Sequence, residues 1–242
     1  MIRLSRRHAL AAPALGLLAV AAAPAPARAD MTTDLVLATD PALAPALRAA
    51  AAAYRRQSGV RVHVFATPPQ LILPQLQRTV QNDLVFTGLP VLSALQAAGL
   101  LAGAPGPAWS NPLVLAGARV VPITATTRLA RPDASDGSAI DGAAVLAAIG
   151  LGGNPAIGAI DTPGVAWLLH QGAASAGLVH ASLLGGLHRL RPVPVSASGP
   201  VQVAVALTRL ARRPHPERFL AFLAGPDGRA SLRHAGLQES AA

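Results

Sequence analysis

The most constraining feature of the sequence is a strand, tight turn and helix that repeat three times near its start. In the first unit, the apolar residues 35–38 precede Thr39 and Asp40, and the alanine-rich residues 42–53 follow. Threonine and aspartate, followed by proline, are typical of a helix start. Pro45 removes an early helix hydrogen bond, so the regular helix is predicted to begin nearer Pro45. Such a helix start at a strand end is a candidate anion site.

The second and third units continue the alternation. Residues 60–65 alternate apolar and polar side chains with a period of two, which indicates a strand, and 70–81 reads as a helix. A short strand at 83–87 and a helix at 90–98 follow. Parallel strands need crossover connections, so the alternation predicts an α/β fold with mostly parallel sheets flanked by helices.

Two segments rich in proline and glycine divide the remaining chain. The segment 103–112 is predicted to leave the first lobe, and 191–199 is predicted to return to it. Between them the sequence favours strands at 113–116, 156–160 and 176–180 and helices at 143–149 and 164–171. We therefore predict a two-lobe fold, with lobe I formed by 30–111 and 196–242 and lobe II by 112–195.

The first 29 residues have the pattern of a cleaved export signal. Arginines at 3, 6 and 7 precede an uncharged apolar stretch at 9–23, and Ala27-Arg28-Ala29 fits the small-x-small cleavage rule. About 15 apolar residues are too few to span a ~30 Å hydrocarbon core comfortably. We predict cleavage after Ala29 and a periplasmic location. The run at 5–10 resembles a twin-arginine signal, and general secretion stays open.

Composition excludes several kinds of function. The chain has no cysteine, so disulfides, thiolate metal sites and cysteine nucleophiles are excluded. Its formal charge of +9 falls to +5 without the signal, because four of the 20 basic residues precede residue 30 while all 11 acidic residues remain. The arginines are scattered and the aromatic residues number only seven, which argues against binding nucleic acid.

Several stretches together resemble the periplasmic molybdate-binding protein family, the solute receptors of ABC importers. The likeness runs from Asp34 to Leu237 and rests on order and spacing. The matching stretches are 58–64 (SGVRVHV), 82–88 (NDLVFTG), 95–101 (LQAAGLL), 140–146 (IDGAAVL), 172–180 (GAASAGLVH) and 219–228 (FLAFLAGPDG). The resemblance implies a two-lobe receptor that closes on a tetrahedral oxyanion such as molybdate or tungstate. It also implies an ABC permease as partner, and neither a metal nor another cofactor. We expect a monomer.

The family's two first-lobe serines are not kept. They fall near Asp40 and on Pro68, which makes Thr39 and Thr67 the nearest hydroxyl substitutes. Pro68 has no N–H to donate, and a carboxylate at Asp40 would repel an oxyanion unless it turned away to cap its own helix.

In the second lobe the resemblance places three contacts. A donor before the helix falls on Ser138 or the adjacent alanine, the next contact falls on Thr162, and the family's tyrosine falls on His180, 18 residues further along. His180 could help if protonated, or it could be a buried, hydrogen-bonded strand residue. Ser138 and Thr162 are also N-cap residue types, with or without a ligand.

Two other functions remain open at this point. The same fold could bind a cationic or hydroxylated solute that contacts Asp40. An exported hydrolase could use Ser138, His180 and Asp161, although the chain has neither a G-x-S-x-G turn nor an H-E-x-x-H helix. We predict a receptor and not an enzyme.

Overall fold

The computed structural model describes residues 34–133, 140–198 and 202–240. These residues form strands β1 (Leu35–Thr39), β2 (Val62–Ala66), β3 (Leu84–Gly88), β4 (Ala108–Ser110), β5 (Leu113–Gly117), β6 (Leu129–Pro132), β7 (Ala156–Ala159), β8 (Ala176–His180), β9 (His188–Pro192), β10 (Gln202–Leu207) and β11 (Gln238–Glu239). The helices are α1 (Ala44–Ser58), α2 (Pro69–Gln77), α3 (Leu89–Ala97), α4 (Gly142–Ala148), α5 (Thr162–His170), α6 (Val195–Ser198), α7 (Pro216–Ala224) and α8 (Pro226–His234). A short 3-10 helix, Ala181–Leu183, follows β8.

The strands form two sheets. The first has the order β11-β4-β10-β3-β1-β2, and the second has the order β7-β6-β8-β5-β9. The chain passes from the first sheet to the second between Ser110 and Leu113, and it returns between Pro192 and Gln202. Two sheets flanked by helices confirm the predicted α/β class.

The pairing within each sheet is more mixed than the sequence predicts. Parallel pairing joins β1 to β2 and β3, and β6 to β7 and β8. In contrast, β10 pairs antiparallel with both β3 and β4, and β5 pairs antiparallel with both β8 and β9. The strands that enter each sheet directly from the other one therefore run against their neighbours.

Helices cover both faces of each sheet, so four apolar clusters form. In the first sheet, α1, α7 and α8 pack on one face and α2 and α3 on the other. The first of these clusters contains Tyr54, whose ring lies 5.0 Å from that of Phe219 and 5.2 Å from that of Phe222, measured between centroids. Aromatic pairs at such distances contribute about 0.5–1.5 kcal/mol beyond area burial. Helix α4 covers one face of the second sheet and α5 the other.

Local signals account for the helix boundaries. Helix α1 begins near Pro45, as predicted, and ends at Gly59, which has the left-handed φ of 76° that glycine adopts without strain. Helices α4 and α5 begin after Asp141 and Asp161, whose carboxylates accept backbone N–H groups of the first turn. The N-cap of α4 is therefore Asp141.

Some predictions fall outside the described residues, and two segments contain strands that were not predicted. The signal segment 1–29 and Ser138 lie outside the described ranges. The segment 103–112, predicted as a loop, contains β4, and the predicted return linker overlaps β9. Among the described residues, no helix combines the length and apolarity that crossing a bilayer requires.

Candidate functional site

The carboxyl ends of the parallel strands in the two sheets meet at the crossovers. Strand β5 begins with Leu113 opposite His180, the last residue of β8, and β10 begins next to Gly88, the last residue of β3. Only two residues separate Ser110 from Leu113, so their Cα atoms are at most about 11 Å apart. Ligands of open α/β sheets bind outside the carboxyl ends of strands. The region between these two edges is therefore the candidate site.

Three threonines lie at the first sheet's carboxyl edge. The buried Thr39 hydroxyl donates to the Phe86 carbonyl at 2.7 Å, and the Thr67 hydroxyl donates to Gln75 Oε1 at 3.4 Å. The Thr67 N–H also donates to the Thr39 carbonyl at 2.7 Å, which fixes the two turns against each other. Thr87, at the end of β3, is fully buried, and its hydroxyl has no partner among the described residues. Thr87 is thus the threonine of this edge whose hydroxyl is unpartnered among the described residues, and that hydroxyl is sealed from solvent.

Asp40 caps its own turn, as the sequence allowed. Its Oδ1 accepts the Leu43 N–H at 3.2 Å, and it forms no ion pair within the described part of the chain. Burial raises the pKa of the Asp40 carboxyl from 3.8 to about 6, and hydrogen bonds from the Leu43 and Ala42 N–H groups oppose that rise. At pH 7.5 the site therefore contains a mostly ionised carboxylate.

The raised Asp40 pKa predicts that Asp40→Asn gains stability relative to wild type as the pH rises. Because the folded pKa exceeds the unfolded one, the stabilisation linked to Asp40 is complete below pH 3.8 and is lost as pH rises through 6. Between pH 5 and 7.5 that loss is about 1 kcal/mol. We expect the melting temperature of Asp40→Asn, relative to wild type, to rise by about 2–4 °C between these pH values. An equal difference at both pH values would contradict the shift.

His180 ends β8 as a neutral side chain. Burial lowers the pKa of its imidazole from 6.5 to about 4, and its hydrogen bond to the Asn111 carbonyl opposes the shift. The distance from Nδ1 to that carbonyl oxygen is 3.0 Å. A carbonyl can only accept, so Nδ1 carries the proton, and Nε2 is an acceptor with no partner among the residues that the structure describes. Of the two alternatives that the sequence left open for His180, the structure favours the buried, hydrogen-bonded one.

A hydrogen-bonded joint formed by Asn111 and Ser182 connects His180 to the Asp40 turn. Asn111 Nδ2 donates to Ser182 Oγ at 2.9 Å, and the Ser182 N–H donates to Asn111 Oδ1 at 3.2 Å. Ser182 Oγ in turn donates to the Ala42 carbonyl at 2.6 Å. Both side chains are buried. One connected network therefore holds the crossover, the second sheet and the β1–α1 turn.

Thr162 provides the donors of the second sheet's edge. It is the first residue of α5 and is buried, and its hydroxyl forms no hydrogen bond with the described residues. The adjacent Asp161 instead accepts the Gly164 N–H at 2.7 Å. Thr162 can therefore donate through both its N–H and its hydroxyl.

The proposed hydrolase set is not assembled. Asp161 caps α5, and the Nδ1 of His180 faces the Asn111 carbonyl, so the imidazole has no carboxylate partner within the described ranges. The same part of the chain contains no group of three or more histidine and acidic side chains placed to hold a metal ion. The arrangement can bind a small molecule through hydroxyl, amide, carboxylate and imidazole groups.

Comparison with known proteins agrees with a binding role. The sequence profile of the family described as bacterial extracellular solute-binding protein matches residues 35–238. The chain belongs to that family. The comparison with curated proteins found no match to this solute-binding protein.

Solved structures of solute-binding proteins share its fold. The Azotobacter vinelandii periplasmic molybdate-binding protein has a TM-score of 0.70 at 18% identity, covering 86% of this chain and all of that one. L-phospholactate-bound PEB3, a Campylobacter jejuni protein, has a TM-score of 0.61 at 14% identity over 86% of this chain and all of its own. Iron-bound HitA from Pseudomonas aeruginosa has a TM-score of 0.54 at 16% identity, covering 87% of this chain and 89% of its own. At these identities the likeness establishes the fold.

Sequence reasoning missed three residues of the region. Thr87 lies in the predicted strand 83–87 and Asn111 in the segment 103–112, but neither of them, nor Ser182, was predicted to belong to the site. Thr87 could have been found, because it ends the predicted strand of the third unit, as Thr39 ends the strand of the first. Asn111 and Ser182 are 71 residues apart, and only the pairing of β5 with β8 brings them together.

Proposed function

We propose that this protein is the substrate receptor of an ABC importer and binds a tetrahedral oxyanion, such as molybdate, tungstate or a related anion. The observation that carries the proposal is the meeting of the two carboxyl edges, with hydroxyl-bearing residues on both: Thr39, Thr67 and Thr87 on one, and Thr162 on the other. Neutral donors at helix starts can bind an anion without a cationic side chain. The molybdate-binding and phospholactate-bound structural neighbours support the same ligand class.

The proposal includes closure of two lobes around the ligand. Lobe I would comprise 30–111 and 196–242 and lobe II 112–195, a division supported by the positions at which the chain changes sheet. The protein would work as a periplasmic monomer after removal of residues 1–29 and deliver its ligand to a membrane permease. Ser138 would add a second-lobe donor.

Thermal unfolding with and without anions tests the oxyanion proposal. Molybdate, tungstate, sulfate and phosphate are each added to the purified protein at pH 7.5. A ligand at ~1,000 times its dissociation constant adds roughly 4 kcal/mol, which raises the melting temperature of a chain of this size by about 8–16 °C. A rise with at least one anion supports the proposal. Unchanged melting with all four would overturn it.

A second candidate ligand is a cationic or hydroxylated solute. The observation that favours it is the ionised Asp40 carboxylate without an ion-pair partner in the described residues. Choline, putrescine and glucose serve as probes in the same thermal experiment. If one of them raises the melting temperature while no anion does, and Asp40→Asn abolishes that rise, the second candidate replaces the first.

A further inference from the structure

The candidate site contains hydrogen-bond acceptors as well as donors. Within the described part of the chain, the Asp40 carboxylate accepts backbone N–H groups only from Ala42 and Leu43. An ionised carboxylate has about four acceptor positions, so this one retains unused capacity. The Asp40 turn is also joined to the opposite edge through the bond from Ser182 to the Ala42 carbonyl. A ligand held at this turn would meet an oxygen that can only accept.

His180 offers a second acceptor. Its Nδ1 proton is used by the Asn111 carbonyl, so Nε2 presents a lone pair, and it has no partner among the described residues. His180 and Asp40 are connected by the network through Asn111 and Ser182. The two acceptors thus belong to facing edges of the same region.

The turns of the first sheet offer few hydrogen-bond donors to a ligand. The hydroxyl protons of Thr39 and Thr67 go to protein oxygens. Prolines remove further N–H groups, since one or two occur at the starts of α1, α2, α3 and α5, namely Pro41, Pro45, Pro68, Pro69, Pro90 and Pro163. The hydroxyls of Thr87 and Thr162 are not used by the described residues. A ligand must therefore accept from some groups and donate to others.

We infer that the site selects a tetrahedral oxyanion that carries its own proton, such as hydrogen phosphate or hydrogen arsenate, over fully deprotonated anions such as sulfate, selenate and molybdate. The inference rests on the proposed function and narrows it, because molybdate and tungstate would then bind more weakly than a tetrahedral anion that carries a proton. A protonated anion can donate its O–H to the Asp40 carboxylate while its other oxygens accept from the N–H and hydroxyl of Thr162. A fully deprotonated anion would place a bare oxygen against that carboxylate, and like charges held together at a binding site cost several kcal/mol.

The wild-type protein provides the first test, in two matched pairs of anions. Phosphate is compared with sulfate, and arsenate with selenate, by calorimetric titration at pH 7.5. Phosphate and arsenate carry a proton at this pH, and sulfate and selenate carry none. A hydrogen bond to a charged group contributes about 1.5–3 kcal/mol, so we expect the protonated member of each pair to bind about 10- to 100-fold more tightly. Equal binding within both pairs would overturn the inference.

Asp40→Asn provides the second test. The Oδ1 of asparagine can accept the Leu43 N–H as the aspartate does, and its amide nitrogen can donate to an oxyanion. We expect sulfate and molybdate to bind about 10- to 100-fold more tightly to this variant while the preference for phosphate disappears. Asp40→Ser is the alternative variant if asparagine prevents folding.

Asp227→Asn is the matched control. It makes the same change in charge in the first turn of α8, at an exposed position remote from both carboxyl edges. We expect it to leave every anion affinity unchanged. If Asp40→Asn and Asp227→Asn have the same anion affinities, Asp40 does not accept a hydrogen bond from the proton of the ligand. If no anion binds the wild type, the proposed function itself fails, which differs from equal binding of all four anions.

Discussion

Replacing Asp83 by alanine is expected to lower the free energy of unfolding by about 3–5 kcal/mol, because a buried ion pair loses one partner. Asp83 is fully buried beside β3, where Oδ2 accepts the Val36 N–H at 2.8 Å and Arg213 Nη1 at 3.2 Å. Its Oδ1 accepts the N–H groups of Arg212 at 3.3 Å and Arg213 at 3.4 Å. Alanine leaves these donors without their acceptor, and the melting temperature should fall by about 6–20 °C.

Glu239→Ala is the control for this prediction. Glu239 also pairs with two arginines, Arg229 at 3.0 Å and Arg233 at 3.5 Å, but its side chain is 37% exposed. Exposed ion pairs contribute about 0–1 kcal/mol, so the melting temperature should change by less than about 4 °C. Differential scanning calorimetry measures both variants. Similar losses in the two would contradict the role assigned to the burial of Asp83.

Replacing Asn111 by alanine is expected to cost about 2–3 kcal/mol of stability. The substitution removes both side-chain hydrogen bonds to Ser182 and leaves the Ser182 N–H buried without an acceptor, a loss of about 1–3 kcal/mol in itself. The melting temperature should fall by about 4–12 °C. Because this joint links the two sheets, we also expect unfolding to become less cooperative, with a van't Hoff enthalpy below the calorimetric one.

Asn154→Ala is the control for Asn111→Ala, because Asn154 does not belong to the joint between the two sheets. Asn154 also makes two hydrogen bonds, from Nδ2 to the Thr124 and Thr127 carbonyls at 2.6 Å and 3.1 Å, but it lies in a loop of the second sheet and is only partly buried. We expect Asn154→Ala to lower the free energy of unfolding by about 1 kcal/mol and to leave the ratio of the van't Hoff to the calorimetric enthalpy unchanged. Loss of cooperativity in both variants would show that the crossover has no special role.

Long, regular elements of the fold were readable from the sequence. Strand β8 was predicted at its observed bounds, and helix α1 begins near Pro45, as the sequence predicted. Local chemistry decides such elements, since capping residues and apolar runs act within a few positions.

Short strands were missed because their pairing partners are remote in sequence. Strand β4 has three residues and β11 has two, too few for a period to appear. Strand β9 contains two arginines and a terminal proline, which read as a linker, yet it pairs with β5. The antiparallel insertion of β10 likewise depends on tertiary contacts that no local pattern encodes.

The candidate site was partly predictable. Thr39, Thr67, Thr162 and His180 occur at strand or helix ends on the facing edges, where turn chemistry and the resemblance placed them. The protonation states were not predictable, because the pKa shifts of Asp40 and His180 arise from burial. Ser138 stays a prediction.

The position of β10 constrains the order in which the two sheets can be completed during synthesis. It lies between β3 and β4, whereas the whole second sheet is formed by the chain between β4 and β10. During synthesis the second sheet can be completed from contiguous chain, but β3 and β4 must wait for β10 before they are joined. Until then the edge of β3 is unpaired and can pair with a wrong strand. Early folding of the second sheet shortens the loop that β10 must close, which lowers the entropic barrier to completing the molecule.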